Sequence, residues 1–401
     1  MQRKLILILL FDVLFASGSY GQVRIRLFSS QSPESAFFST TGGSYELNTF
    51  NGENLFVNKN EPVLITRFNG KLAVKTKYGR GFICDSLTLL GKTGSDSFSL
   101  RINDGTPVRQ YYSGDLQCFA DLGTLVMINI SDVENYISGV VIAEGGSGRN
   151  KEYFKTQAIL ACTYMYRYFD KHLSDRYNVC DNTHCQVFNG LSWDTIINNA
   201  VQETTGLVIL DHDSILIISA FHSNCGGETS TPEYVWLTSQ PYLKSVVDPY
   251  CISSRNASWE KRLSLNEWIG LMKKSGYEGK TDDPATFTFI QKKRQNNYST
   301  VTFKIPLSTI RTELNLRSTL FSVIADKDSI ILKGRGYGHG VGLCQEGAMA
   351  MAEKGCSYRQ IIDFYYSDVI ITDIKNAVFL DGNNTPKPPP KPPLGDWGAD
   401  R

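Results

Sequence analysis

An α+β fold is the class this sequence predicts: a domain of mixed strands and helices preceded by a small β-rich module. Three observations carry that expectation. From Val23 to Asp104, short alternating or β-branched runs such as Val23-Arg24-Ile25-Arg26-Leu27-Phe28 and Val63-Leu64-Ile65-Thr66 are separated by Asn-Gly and Gly-Gly turns. After Asn150, apolar residues recur at helical spacing through Phe154, Ala158, Ala161, Met165 and Phe169. Between Gly334 and Ala348, glycine at nearly every second position leads into a further helical pattern at Ala348, Met351 and Ala352.

The chain opens with Met1-Gln2-Arg3-Lys4, the apolar run Leu5 to Phe15 and small residues from Ala16 to Gly21, which predicts a signal peptide over 1–21, cleaved near Gly18 or Gly21. An exported protein in the periplasm, cell envelope or medium is therefore expected. With 401 residues, 41% hydrophobic content and a formal charge of +1, the chain is long enough for two domains. The near-neutral balance argues against nucleic acid as the main partner, because phosphate binding relies on a basic excess. Nine cysteines in an exported chain predict some disulfides, and the odd count leaves one unpaired unless a metal takes it.

The β-rich module is assigned to 22–107, with Asn51-Gly52, Asn69-Gly70 and Asp104-Gly105 as hairpin signals and nothing that looks catalytic. A second domain follows over 108–375. Arg109 to Phe119 and Leu125 to Ile130 read as strands before the run Val133 to Glu144, where Glu144 closes an apolar segment and meets Gly145-Gly146-Ser147-Gly148. Burial there would disfavour the carboxylate and make Glu144 a candidate general acid, against the plainer reading of a structural glutamate. Asn150 is the predicted cap of the next helix, with Glu152 in its first turn. An insertion over about 253–321 contains a helical pattern from Leu265 to Lys274 and strands around Thr286 to Ile290 and Thr300 to Ile305. Ser357 to Tyr366 predicts a helix and Val369-Ile370-Ile371 a closing strand. The tail, 376–401, carries Pro386-Lys387-Pro388-Pro389-Pro390-Lys391-Pro392-Pro393 and reads as extended polyproline.

The glycine-rich stretch, Gly334-Arg335-Gly336-Tyr337-Gly338-His339-Gly340-Val341-Gly342-Leu343-Cys344-Gln345-Glu346-Gly347-Ala348, fits neither common phosphate motif. From Gly334, Gly336 and Gly338, the third glycine of a dinucleotide fingerprint is replaced by His339, Val341 and Leu343, and no glycine stands at Ser86 to open a P-loop ending in Gly91-Lys92-Thr93. Two readings stay open: a loop whose backbone comes close to a polar ligand at a helix start, or a tight turn around a buried histidine.

Five separated motifs, in order, resemble the stage II sporulation protein D family (SpoIID/LytB). They are Tyr136-Ile137-Ser138-Gly139-Val140-Val141-Ile142-Ala143-Glu144, then Lys155-Thr156-Gln157-Ala158, Cys185-Gln186-Val187-Phe188-Asn189-Gly190, Ser223-Asn224-Cys225-Gly226-Gly227-Glu228-Thr229, and Gly336 to Gly342 with Gln345 and Gly347-Ala348. The resemblance covers roughly Val108 to Asp373 and implies a peptidoglycan lytic transglycosylase. Its substrate would be glycan strands stripped of stem peptides by an N-acetylmuramoyl-L-alanine amidase. By that resemblance Glu144 is the catalytic acid, no cofactor is required for the chemistry, and Lys155, Gln157, Tyr164, Ser223, Gly226, Gly227, Arg335, Tyr337, His339 and Gln345 bind substrate. The family pattern has Arg where this chain reads Ala161-Cys162-Thr163-Tyr164, and a thiol cannot replace a guanidinium's charge and fork of donors.

The resemblance further implies a structural zinc on His172, Cys180 and Cys185, near His184, with a disulfide or buried thiols as the alternative. Two rival functions are carried forward. One is a non-catalytic glycan-binding amidase enhancer. The other is a cell-wall amidase or peptidase with Cys225 as nucleophile beside His222 or His339. Trp236, Trp259 and Trp268 read as packing anchors.

Overall fold

The computed structural model describes residues 21–380 except 50, 51, 53, 60, 78–80, 104–107, 237, 280–282 and 301–302, together with 386–387. Residues 1–20 of the predicted signal peptide, the Asp104-Gly105 turn and most of the proline-rich tail lie outside the described residues. Within them the chain is α+β, and no helix is long and apolar enough to cross a membrane.

Two sheets form the first half. One runs, in spatial order, Val179–Cys180, Gln22–Leu27, Thr124–Asp132, Asp115–Asp121, Ser86–Gly91, Tyr45–Thr49 and Asn54–Val57. The other runs Gln110–Ser113, Ser97–Ile102, Ser35–Gly42, Pro62–Phe68, Lys71–Thr76 and Gly81–Cys84. Alternation is the reason: in Gln22–Leu27 every second side chain, Val23, Ile25 and Leu27, is buried. The inner faces meet through aromatic rings, with Tyr45 of the first sheet edge-on to Phe38 and Phe98 of the second at 5.2 and 5.8 Å. Both sheets cross the expected division at 107/108, and one buried core runs from Val23 to Phe379.

The run from Arg109 to Phe119, expected as one strand, is two. Gly114 breaks it at φ 80°, sending Gln110–Ser113 to one sheet and Asp115–Asp121 to the other. A Cβ at Gly114 would lie 2.1 Å from the Ile130 carbonyl oxygen, so this corner needs both a left-handed backbone and the absence of a side chain.

Helix α1 (Val133–Gly145) follows directly from the strand Thr124–Asp132, and α2 (Lys151–Arg167) packs on it. Asn150 caps α2 as expected: its side-chain oxygen accepts from the Glu152 N–H at 2.9 Å. Helix α3 (Thr195–Glu203) packs on α1 and α2. A second core gathers around Trp268 and Tyr298. It holds α4 (Leu265–Lys274), α5 (Leu307–Glu313) and the three-stranded sheet of Ser258–Ser264, Ser329–Arg335 and Phe321–Asp326. The expected strand at Thr286 to Ile290 is instead a 3-10 turn, Pro284–Phe287, started by the Asp283 cap and a proline at its head; Phe289 then bridges Val323. Within the expected Thr300–Ile305 strand, residues 301–302 lie outside the described residues, and a strand at Lys304–Pro306 pairs with Asn297–Ser299. Helix α6 (Gln345–Glu353) and α7 (Tyr358–Tyr365, capped by Ser357) return to the main core, and Ile370–Asp373 closes against Leu207–Leu210.

Gly114→Ala is expected to destabilise the fold by on the order of 3 kcal/mol. Gly94→Ala, at φ 76° with open space around its Cβ, should cost about 1 kcal/mol from the left-handed backbone alone. Urea unfolding of the two variants checks the ranking.

Candidate active site around Glu144

Glu144 lies in the last turn of α1, half-buried, beneath the exposed Gly146 to Arg149 segment. Its Oε1 accepts one hydrogen bond, from the Val187 N–H at 2.9 Å. Burial raises its pKa above the ordinary glutamate range, and the Val187 amide offsets only part of that. The position adds to the effect, because the carbonyl end of a helix is its negative pole. Among the described residues no basic side chain pairs with Glu144.

Two glutamines expected to touch substrate hold this helix end in place. Gln345 Nε2 donates to the Glu144 backbone oxygen at 3.1 Å and to Gln157 Oε1 at 3.2 Å, and both side chains are buried. They bind α1, α2 and α6 together behind the carboxyl group. Gln157 Nε2, Gln186 Nε2 and Tyr153 Oη are buried around the same junction without a hydrogen-bond partner among the described residues.

Lys155 is turned elsewhere, pairing with Glu152 at 2.9 Å and Glu203 at 2.8 Å. Tyr164 lies against Tyr168, the rings tilted with centroids 4.6 Å apart, and donates to the His184 carbonyl at 3.4 Å, which places it beside the His/Cys cluster. Cys162 is also remote from Glu144. It is buried and lines a small cavity with Val133, Glu134 and Ile137 at the opposite end of α1, so the thiol in place of the family's arginine takes no group away from the carboxyl. An arginine there would instead face Glu134, whose carboxyl is pushed up by burial.

The glycine-rich segment zips onto residues 220–230. The Tyr337 N–H donates to Asn224 O at 2.8 Å, the Asn224 N–H to Tyr337 O at 3.0 Å, and the Ser230 N–H to Gly340 O at 2.7 Å. A Cβ at Gly336 would stand 2.6 Å from the Asn224 carbonyl oxygen and one at Gly342 2.1 Å from that of Ala220, both at positive φ. These glycines therefore answer to the chain's own close packing. Gly226 belongs to the same seam, where a Cβ would meet Arg335 Cβ at 2.8 Å, and Gly227 follows it at φ 100°. The start of α6 is likewise occupied by the protein: the Glu346 N–H donates to Ser223 O at 3.0 Å and the Gly347 N–H to Cys344 Sγ at 3.4 Å.

His339 is held by backbone on both ring nitrogens. The Val341 N–H donates to Nδ1 at 3.0 Å, which leaves the proton on Nε2, 2.9 Å from Phe221 O. Burial takes its pKa down to about 4, so the ring is neutral at physiological pH. The open edge of the segment consists of Tyr337, 45% exposed with Arg317 over its ring, the exposed Arg335, the half-buried Ser223, and Trp236, 40% exposed and 5.5 Å from the His339 ring. Beside Ser223 stands Glu346, which accepts from Asn224 and Asn256 at 2.6 Å each and from Ser254 at 2.5 Å. Asn256 and Glu346 carry no sequence signal of their own, and Trp236, expected as a packing anchor, is instead exposed at this edge. Glu346 lies inside the quoted run, but its partners are about ninety or more residues away.

Cys225 does not meet the requirements of a nucleophile. It is fully buried, its Sγ bonds to Asp248 and Cys251 at 3.3 Å each, and His222 is occupied by Val341 O through Nδ1. No disulfide joins the nine cysteines, contrary to the sequence expectation.

The first His/Cys cluster fits a structural zinc. His172 Nε2 is 3.5 Å from Cys185 Sγ, Cys180 Sγ is 3.6 Å from His184 Nδ1, and all four donor atoms lie within 4.8 Å of one another. Two thiols and two imidazoles are a tetrahedral donor set, and Asp175 Oδ2, 3.7 Å from His172 Nδ1, occupies the place of an outer carboxylate. His184 is the donor that the three-residue expectation lacked. The cluster is near the acid in sequence: Val187, two residues after Cys185, is the residue whose amide holds Glu144.

Fold and site define an α+β protein built around one half-buried carboxyl group. Residues 122–210 match the sequence model of SpoIID, the stage II sporulation protein family. The chain is 30% identical over 259 residues to stage II sporulation protein D of Bacillus amyloliquefaciens, covering 60% of this chain and 74% of that one. It is 31% identical over 277 residues to an uncharacterized protein of Brachyspira hyodysenteriae, covering 65% and 72%. It is also 29% identical over 289 residues to the amidase enhancer of Bacillus subtilis, 59% of this chain but 40% of that protein's length. The chain belongs to the stage II sporulation protein D family, and its function is cell-wall related.

A raised carboxyl pKa in the folded state means that the native chain holds the proton more tightly than the unfolded chain. Stability from this group is full below the unfolded value and is lost as pH rises through the folded one. Glu144→Gln keeps an acceptor for Val187 and removes the titration. The variant is expected to resist urea better than wild type at neutral pH, with the gap closing as pH falls below about 4, where the glutamate is protonated in both the folded and the unfolded chain. Paired unfolding curves at the two pH values check it.

Proposed function

We propose that this protein is an exported peptidoglycan lytic transglycosylase acting on peptide-stripped glycan strands. The observation that carries the reading is Glu144: a half-buried carboxyl with a raised pKa, one amide donor and no paired cation. A raised pKa enlarges the protonated share of such a group, which can then give its proton to a leaving oxygen.

In the proposed step Glu144 protonates the oxygen joining N-acetylmuramic acid to N-acetylglucosamine, and the bond from C1 of the muramic residue to that oxygen breaks. The positive charge spreads over C1 and the ring oxygen. The Glu144 carboxylate then takes the proton of the same sugar's C6 hydroxyl as O6 bonds to C1, giving a 1,6-anhydro end and restoring the acid. A hydrolytic glycosidase uses a second carboxylate for water or for a covalent intermediate, whereas an internal hydroxyl is already present at high effective concentration. Tyr337, Trp236 and the polar edge formed by Ser223 and Asn256 supply stacking and hydrogen bonds for a sugar strand. The His172, Cys180, His184 and Cys185 cluster would hold a structural zinc that stiffens the turn leading to Val187.

A second reading is favoured by one relative's name, amidase enhancer. Here the same edge binds glycan and presents it to an N-acetylmuramoyl-L-alanine amidase without cutting.

Incubation of the protein with amidase-stripped and intact peptidoglycan, followed by mass spectrometry, separates the readings. Anhydro-muramic products from stripped strands, reduced about 100-fold or more in Glu144→Gln, are expected. Retained strand binding without product formation by wild type would replace the enzyme with the enhancer.

A further inference from the structure

Behind the glycine-rich segment lies a second group of metal-ligating side chains, Cys225, Asp248, Cys251 and Cys344, all fully buried. We propose that it is a metal site of its own, a Cys3Asp centre for zinc or a similar thiophilic divalent cation, distinct from the His172 cluster and structural in role.

The geometry matches a tetrahedral ion. At ordinary zinc–sulfur bond lengths two thiolates on one ion stand about 3.8 Å apart. Here Cys225 Sγ lies 3.3 Å from Cys251 Sγ and 3.3 Å from Asp248 Oδ2, and no pair among the four donor atoms is more than 4.8 Å apart. Three sulfurs with a single carboxylate exclude calcium and magnesium, which take oxygen ligands.

The surroundings are those of an anionic centre. Cys344 Sγ accepts two backbone amides, from Cys225 at 3.3 Å and Gly347 at 3.4 Å, as thiolates at a helix start do. Asp248 is oriented on both oxygens: Tyr365 Oη donates to Oδ2 at 3.0 Å and the Tyr250 N–H to Oδ1 at 2.8 Å. Gly347 is what lets the carboxylate reach the head of α6, since a Cβ there would stand 2.4 Å from Oδ2. Three thiolates and a carboxylate around a divalent ion leave two negative charges. A half-buried guanidinium stands nearby: Arg294 donates to the Cys225 carbonyl at 2.8 Å. Buried charge of this kind persists where it is paired or coordinates a metal.

The ligands come from three separated segments: the turn after the strand Phe221–His222, the stretch around Asp248 and Cys251, and the end of the strand Leu343–Cys344 that pairs in parallel with the first. An ion would pin these segments directly behind Ser223, Gln345 and Glu346. The centre is separate from the proposed transglycosylase reaction and stands whether or not Glu144 cuts glycan.

The test is native mass spectrometry and cobalt replacement on the full chain purified under anaerobic conditions. A Cys180→Ser/Cys185→Ser variant, folded by circular dichroism, is expected to retain one metal ion per chain. With Co(II) it should show thiolate charge-transfer absorption and the visible bands of a tetrahedral site. Adding Cys251→Ser should remove that ion and those bands. If the cysteine variant does not fold, Asp248→Asn, of nearly the same volume, is expected to weaken Co(II) binding at least tenfold. A folded first-cluster variant that carries no metal, an ion that survives Cys251→Ser, or a Cys225–Cys251 disulfide in peptides from the unreduced chain would each overturn the proposal.

Discussion

Everything near the candidate site depends on how one carboxyl group is kept out of water. Glu144 lies in the last turn of α1, where the helix exposes its negative pole, and among the described residues the one donor that reaches its oxygens is the Val187 amide. Burial outweighs that amide and moves the pKa upward. The rest of the local structure maintains this condition. Gln345 takes up the Glu144 carbonyl and joins it to Gln157, so that three helices fix the position of one acid.

Two cysteine-rich groups adjoin, along the chain, the residues that make this arrangement. The His172 cluster sits two residues before Val187 in the turn that delivers the amide, and the Cys225 group sits one residue before Gln345. Each therefore lies immediately upstream of a contact to Glu144. Long-range placement in this fold rests on loops, and loops are held here by side-chain clusters and by close backbone packing at Gly336 and Gly342.

What the sequence disclosed was mostly local. Glu144 could be read because an apolar run ends abruptly in a carboxylate and then glycines, and Asn150 because a capping residue acts within three positions. The orientation of side chains on α2 was less accessible, yet partly deducible: Lys155 and Gln157 are two apart on a helix and cannot share a face, and one pairs with acids outside while the other is buried. The alternating glycines were legible as a need for close approach, but the approaching group is the chain's own 220–226 segment, which sequence spacing does not reveal. Asp248, Cys251, Asn256 and Glu346 gain their meaning only from contacts between residues far apart in the chain.

The most direct test of the central claim is the titration of Glu144 itself, followed by the carboxyl resonance of a chain labelled at glutamate and assigned by comparison with Glu144→Gln. The account predicts an apparent pKa above the ordinary glutamate value of about 4.3. A resonance that titrates at or below that value would contradict it, since burial would then not strengthen this acid's hold on the proton it is proposed to deliver.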